Sequence, residues 1–376
     1  MIYLDYNAST PVDRAVRDAM LPFLGECHGN PSSSHAMGRA PREAVENARA
    51  RVAGLLNATP GEIVFTSGGT EASNHVIKGV AYDLRHRGKH IITSAIEHPA
   101  VLAPCAFLER QGYEITRVGV DAKGFIDPES IIHEVRPDTI LISIMHANNE
   151  VGTIQPIKEI AEAAREGGVL MHTDAAQSCG KIETDVRELG VDFLSIAGHK
   201  IYAPQGIGAL FIRKGVQLEP LHHGAGHENG RRAGTEPVPA LVGLGAAAQL
   251  AKDRTNDQRT EALRDRLWQG LRDGLGDAVV LHGHERRRLP NTLCVGFRGC
   301  IAPELLAAMP ELCASAGAAC HGADRKPSAV LTAMGVPADL AVGSIRLSVG
   351  RYTTDAEIDE AVGMIVSAVG KQRAAG

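Results

Sequence analysis

The sequence contains no Cys-x-x-Cys pair. Its seven cysteines, Cys27, Cys105, Cys179, Cys294, Cys300, Cys313 and Cys320, are odd in number and irregular in spacing. Neither a zinc site nor a disulfide framework is indicated, and a reducing, cytoplasmic location is expected. No uncharged apolar run reaches the ~18 residues of a membrane span. Met1-Ile2-Tyr3-Leu4-Asp5-Tyr6 offers neither a basic start nor an apolar stretch, so no signal peptide is expected. Charge of one sign is not in excess. A net charge of -5 gives no electrostatic case for nucleic acid or an anionic membrane as partner. Internal repeats and low-complexity tracts are also missing.

What is present is apolar bulk. Of 376 residues, 44% are hydrophobic and 22% charged, so a sizeable core is expected, with room for a large domain and a smaller one. A short helix over 11-24, opened by Pro11, and a second over 39-57 come first. After the strand Ile63-Val64-Phe65, strand-like runs recur at 89-95, 114-120, 139-146, 169-173, 191-196 and 207-213. Helical stretches lie between them, one running to about Leu84 and others at 99-111, 127-135 and 156-166. This alternation predicts an α/β fold with a mostly parallel, doubly wound sheet, the last run pairing differently. Residues 221-236 read as a Gly- and His-rich loop, and 237 to 275 as one long helical region. Beyond it, strands at 278-281, 291-297 and 344-349 alternate with helices near 302-309, 327-334 and 355-370. The expected division is a large domain over 12-255 and a small α+β domain from 1-11 and 256-376.

Asp174 and Lys200 each follow an apolar run of strand length. Ligands of open α/β sheets bind at the carboxyl edge of the strands. An acid and a lysine there suit pyridoxal 5'-phosphate (PLP): the lysine forms the Schiff base and the acid keeps the pyridine nitrogen protonated. Taken alone, a capping Asp and a surface Lys explain the pair as well. Ser67-Gly68-Gly69-Thr70 lies between a strand and a helix, a place for phosphate on free backbone N–H groups, though a tight capped turn reads the same. It fits neither GxxxxGK[ST] nor GxGxxG. His98 and Asn149 also follow strands. An imidazole there can stack on a flat cofactor, and an amide can bond a ring hydroxyl or a carboxylate. Five weak signals converging on one sheet edge, Thr70, His98, Asn149, Asp174 and Lys200, outweigh each one's plain structural explanation. Cys320 sits among small residues in Ala314-Ser315-Ala316-Gly317-Ala318-Ala319-Cys320-His321-Gly322, which suits a nucleophile that reaches into a site, with His321 or a nearby cation able to favour the thiolate; a buried structural cysteine is the plain alternative. The other six cysteines read as structural. Arg346 in its apolar strand is either paired within the protein or grips a carboxylate.

These motifs resemble the NifS/IscS-type cysteine desulfurases, PLP enzymes of the aspartate aminotransferase fold. The resemblance runs from Tyr3-Leu4-Asp5-Tyr6-Asn7-Ala8-Ser9-Thr10-Pro11 through Phe65-Thr66-Ser67-Gly68-Gly69-Thr70-Glu71, Glu97-His98-Pro99, Met145-His146-Ala147-Asn148-Asn149-Glu150 and Thr173-Asp174-Ala175-Ala176-Gln177. It continues to Gly198-His199-Lys200, Arg232-Ala233-Gly234-Thr235, Gly317-Ala318-Ala319-Cys320 and Arg346-Leu347-Ser348-Val349-Gly350-Arg351. It implies Lys200 as the Schiff-base lysine, Asp174 on the pyridinium nitrogen, Gln177 and Asn149 on the ring hydroxyl side, and His98 stacked on the ring. Gly69, Thr70 and His199 would hold the phosphate, with Thr235 supplied by the other subunit of a homodimer. Asn149, Arg346 and Asn7 would meet the substrate, and Cys320 would take its sulfur. L-cysteine would become L-alanine, and a persulfide would pass to an acceptor protein. Two positions depart from the pattern. Ala197 stands where many desulfurases have a phosphate-binding Ser. Ala-Gly-Ala-Ala-Cys-His replaces the usual Ser-Gly-Ser-Ala-Cys and is similar to the selenocysteine lyase branch, which makes L-selenocysteine the alternative substrate. A non-catalytic scaffold subunit is the alternative of another class.

Overall fold

The computed structural model describes residues 1–255, 258–316 and 327–375. β1 (Ile2–Tyr3) begins the chain. The next seven strands form one sheet: β2 (Ile63–Thr66), β3 (His90–Ser94), β4 (Glu114–Val118), β5 (Thr139–Ser143), β6 (Leu170–Asp174), β7 (Phe193–Ala197) and β8 (Gly208–Ile212), in the order β2-β8-β7-β6-β5-β3-β4. β9 (Val279–His282), β10 (Thr292–Phe297), β11 (Leu312–Cys313) and β12 (Ser344–Ser348) follow. An antiparallel sheet has the order β12-β10-β9, and β11 pairs in parallel with β1.

In the large sheet β4, β3, β5, β6 and β7 run parallel, while β8 is antiparallel to both β7 and β2. The 207–213 run therefore pairs differently, as expected. The two reversals around β8 also restore direction. β2 points the same way as β7, so the turn after β2 opens at the edge where β3, β5, β6 and β7 end. β3, β5 and β7 are buried along their whole length, so their apolar residues run together, as Ile91-Ile92 and Ile140-Leu141-Ile142 do, instead of alternating with exposed polar ones. Polar residues inside the sheet find partners across strands. The His172 imidazole lies between Ser143 Oγ at 2.8 Å and Ser195 Oγ at 2.9 Å, and burial pushes its pKa down to about 3.

Two expectations are corrected, and two short strands are added. The first helix starts at Arg14, not Pro11. Asp13 accepts from Ala15 N at 2.9 Å, and an Asp cap holds an N-terminus better than a proline ahead of it. The region 237 to 275 is two helices, Val238–Lys252 and Gln258–Leu275, with the polar Asp253-Arg254-Thr255 run after the first. The first helix packs on the helix Ala36–Leu55 beneath the large sheet, and the second packs on the C-terminal helix Asp355–Ala375. The two-residue strands β1 and β11 lack any period in sequence; they form because Ile2 and Leu4 enter the core of Leu267, Phe297 and Leu347. The N-terminal segment is thereby pinned beside the antiparallel sheet. No helix among the described residues is long and apolar enough to cross a membrane.

Candidate active site

At the carboxyl edge of the large sheet lies a cavity of about 340 Å³. Asn7, Gly69, Thr70, His98, Asn149, Asp174, Gln177, Ala197, His199, Lys200 and Arg346 line it. Every sequence-derived site residue except Thr235 and Cys320 is therefore in one place. Thr235 is exposed and does not line it; Cys320 lies outside the described residues. Ala8, Ala100, Met145, Ala147 and Ala176 complete the walls, small or apolar residues that no motif reading singles out.

Asp174 ends β6 and is 6% exposed. One carboxylate oxygen accepts from Ala176 N at 2.9 Å; the other has no donor among the described residues. Burial raises its pKa against the opposing pull of that N–H, His98 and Lys200. Lys200 closes the short helical turn Gly198–Lys200 after β7. Its Nζ donates to Asn7 O at 2.5 Å and Ala8 O at 2.8 Å. Burial, then the Arg346 charge, lowers its pKa to about 8, so a free amine is accessible near neutrality. His98 is the N-cap of the helix Pro99–Glu109, with Nδ1 accepting from Ala100 N at 3.1 Å. The plain helix-start role and the functional placement therefore coexist, and the cap leaves Nε2 as the protonated nitrogen of the neutral ring. Burial, then Lys200, lowers its pKa against Asp174.

The turn after β2 shows why glycine is needed. Gly68 has φ +150°, and the helix Gly69–Asp83 begins without a side-chain cap. A Cβ at Gly69 would stand 3.4 Å from that of Ala197. The first-turn N–H groups, the Thr70 hydroxyl and the His199 imidazole have no partner in the described protein. Burial, then Lys200, lowers the His199 pKa to about 4, so its ring is neutral. Glu71 is tied to Arg232 at 2.9 Å and to Ser67 N at 2.8 Å. Burial alone would raise its pKa, but these donors bring it down to about 2. The loop carrying Thr235 is thus fastened to the same turn.

Arg346 on β12 is paired within the protein, the first of its two expected alternatives. Nη2 donates to Asp5 at 2.7 Å and Nη1 to Asn149 O at 3.1 Å, while Nε is buried without a partner. Asp5 is an acid the sequence reading missed; only its place in the N-terminal motif hinted at it. The Asn149 side-chain amide makes no hydrogen bond within the described residues. The Asn7 side chain, by contrast, is fully occupied. Its Oδ1 accepts from Asn291 at 2.8 Å and Lys181 at 3.2 Å, and its Nδ2 donates to Thr292 at 2.8 Å and Asn149 O at 3.2 Å. Both flanks of the Cys320 segment are fastened near the cavity. Ser315 and Arg346 exchange backbone hydrogen bonds of 3.2 and 2.7 Å, and Ser328 Oγ donates to Glu150, next to Asn149, at 2.5 Å.

These residues fit PLP. A carboxylate oxygen left without a donor on a cavity-lining Asp suits a protonated ring nitrogen, an uncapped glycine turn suits a phosphate, and a low-pKa lysine suits an aldehyde. The comparisons agree. Residues 2–361 match the family described as Aminotransferase class-V. "Cysteine desulfurase IscS" of Dictyoglomus turgidum is 47% identical over 377 aligned positions, covering 99% of this chain and 95% of that protein. A solved structure titled "NifS-like protein" superposes with a TM-score of 0.92 at 38% identity, covering 98% of this chain and 99% of the other. Another, titled "SspA in complex with cysteine", gives 0.83 at 37% identity over 94% and 100% of the two chains. The chain belongs to the PLP-dependent Aminotransferase class-V family and, within it, to the NifS/IscS-type cysteine desulfurases.

Proposed function

We propose that this protein is a PLP-dependent cysteine desulfurase, which converts L-cysteine to L-alanine and holds the sulfur as a persulfide on Cys320 for an acceptor protein. One observation carries the reading: a single cavity gathers Lys200, Asp174 and the glycine turn with Arg346 and Asn149. The fastening of the Cys320 flanks to Arg346 and Glu150 supports the nucleophile. The relatives' names favour cysteine over selenocysteine.

Bound PLP draws electron density away from the substrate Cα. Asp174 keeps the ring nitrogen protonated, Gln177 and Asn149 hold the ring oxygen, and His98 covers one face. Gly69, Thr70 and His199 hold the phosphate, with Thr235 arriving from a second copy in a homodimer. Arg346 and Asn149 orient the substrate carboxylate; Asn7 acts there through its neighbours, because its own amide is occupied. Lys200 removes the Cα proton, with His98 as the second proton carrier. The Cys320 thiolate attacks the substrate sulfur and the Cβ–S bond breaks, its electron pair staying with carbon. A proton equivalent to the lost thiol proton ends on that carbon. Thiolate plus cysteine thus gives persulfide anion plus alanine, with no external oxidant. A reducing, cytoplasmic setting suits this chemistry, as does the division into a large domain over 12–255 and a small one from 1–11 and 256–376.

The test is alanine and sulfide release from L-cysteine by the PLP-loaded protein. Cys320→Ser is expected to keep the visible absorbance of bound PLP and lose sulfur release. Undiminished turnover in that variant would remove Cys320 as the nucleophile, and no alanine from the unaltered protein would overturn the function.

A further inference from the structure

Lys181 is a second lysine beside the site. Its Nζ donates to Gln177 Oε1 at 2.9 Å and to Asn7 Oδ1 at 3.2 Å. No carboxylate among the described residues forms an ion pair with it, so its two acceptors are both neutral amides. Burial, then Lys200 and Arg346, lowers its pKa well below the ordinary lysine range. A cation without a counter-ion is costly there, whereas an amine serving two carbonyl oxygens is not.

Those two bonds determine what Gln177 presents to the cavity. A side-chain amide can present either a donor or an acceptor, and its neighbours decide which. Lys181 holds Oε1. Asn7 O accepts from Gln177 Nε2 at 2.9 Å. One Nε2 hydrogen is left without a protein partner, on a residue that lines the cavity. Asn7 O is also the acceptor of Lys200 Nζ. Lys181, Gln177, Asn7 and Lys200 thus form one connected chain of hydrogen bonds.

We propose that Lys181 is a positioning residue of this site: it locks the Gln177 amide with an N–H toward the cofactor's ring oxygen and steadies Asn7, whose carbonyl anchors Lys200. The proposal rests on the PLP reading above. A donor on the ring oxygen stabilises its anion and so weakens the hold on the proton shared with the lysine–cofactor linkage. Without Lys181, Oε1 keeps no donor and the amide can turn to seek one.

The test uses the full chain loaded with PLP and reads the pH at which the visible band titrates. Lys181→Met is expected to raise that midpoint by roughly one unit, and Gln177→Met to do the same. Combining them should add little, because both act through one amide. Lys181→Arg, which keeps donors, should restore most of the original midpoint. The other charged or titratable groups acting on Lys200, its neighbours in the site or Lys181 are His98, Asp174, His199, Arg346, Asp5 and Cys179, which are common to all variants. Affinity of the apo protein for PLP, followed by fluorescence quenching, should fall about tenfold in Lys181→Met. If that variant does not fold, Lys181→Gln takes its place, with about half the shift. An unmoved midpoint, or a full Lys181→Met shift persisting without Gln177, overturns the proposal; the latter result would assign the effect to charge alone. The absence of any visible band in the unaltered protein would instead refute the cofactor reading.

Discussion

Ala197 occupies the wall where Gly69 opens the phosphate turn, and its methyl adds no donor there. Ala197→Ser is expected to tighten PLP by about tenfold, the worth of one hydrogen bond to a charged oxygen. Equilibrium dialysis of PLP would check this, and unchanged affinity would mean that backbone N–H groups, Thr70 and His199 already saturate the phosphate. At this scale the site was readable only through convergence. Asp174, His98 and Asn149 each have an ordinary structural explanation, and His98 does cap a helix. What made them stand out is that each follows a strand of the same sheet. Asp5 and Lys181 were not readable in this way. Their meaning comes from Arg346 and Asn7, partners 341 and 174 residues away, and no local pattern encodes such a pairing.

The elements that place the site were largely legible because burial shapes sequence. Strands covered on both faces lose the polar–apolar alternation, so the apolar runs within β3, β5 and β7 announced themselves. Less legible was the role of β8, a reversed strand between two others. Gly208 on β8 shows what the reversal makes possible. A Cβ there would lie 2.4 Å from Ile196 O and 2.6 Å from Gly68 Cα, backbone on either side. Gly208→Ala is therefore expected to push the Gly68 turn outward, weakening PLP binding roughly tenfold and lowering the melting temperature by several degrees. Calorimetry with and without PLP separates the two losses. A variant that melts lower but binds PLP normally would show that the strand yields rather than the turn. The merged reading of 237 to 275 failed for a different reason: two helices with different partners look like one when only a short polar run divides them.

For the whole molecule, histidines dominate the response to acid. Burial lowers the pKa of His75, His146 and His282 to about 4 and of His172 to about 3. The unfolded chain takes up these protons near pH 6.5 and the folded one does not, so each group costs stability as pH falls below 6.5, by about 1.4 kcal/mol per unit. Glu97 acts in the opposite sense. Burial raises its pKa to about 8 despite donors from Ser94 and Met145, so the folded chain holds a proton that the unfolded one releases above about 4.5. Asp174, Glu150 and Asp192, also raised by burial, act in the same sense as Glu97, whereas His199, lowered to about 4, and His98 and His90, also lowered, join the four. The melting temperature should drop steadily between pH 6.5 and 5, and a flat profile there would contradict the burial of these imidazoles.

The contacts of Asn7 also set an order of assembly. Its carbonyl holds the lysine, yet its own position depends on Asn291, Thr292 and the Ser348 hydroxyl, which accepts from Asn7 N at 2.9 Å. During synthesis residues 63–212 can pair into their sheet long before Ser348 leaves the ribosome, and the first ten residues must wait. The lysine's seat is therefore among the last parts of the protein to be built, although its acceptor, Asn7, is made well before the lysine itself.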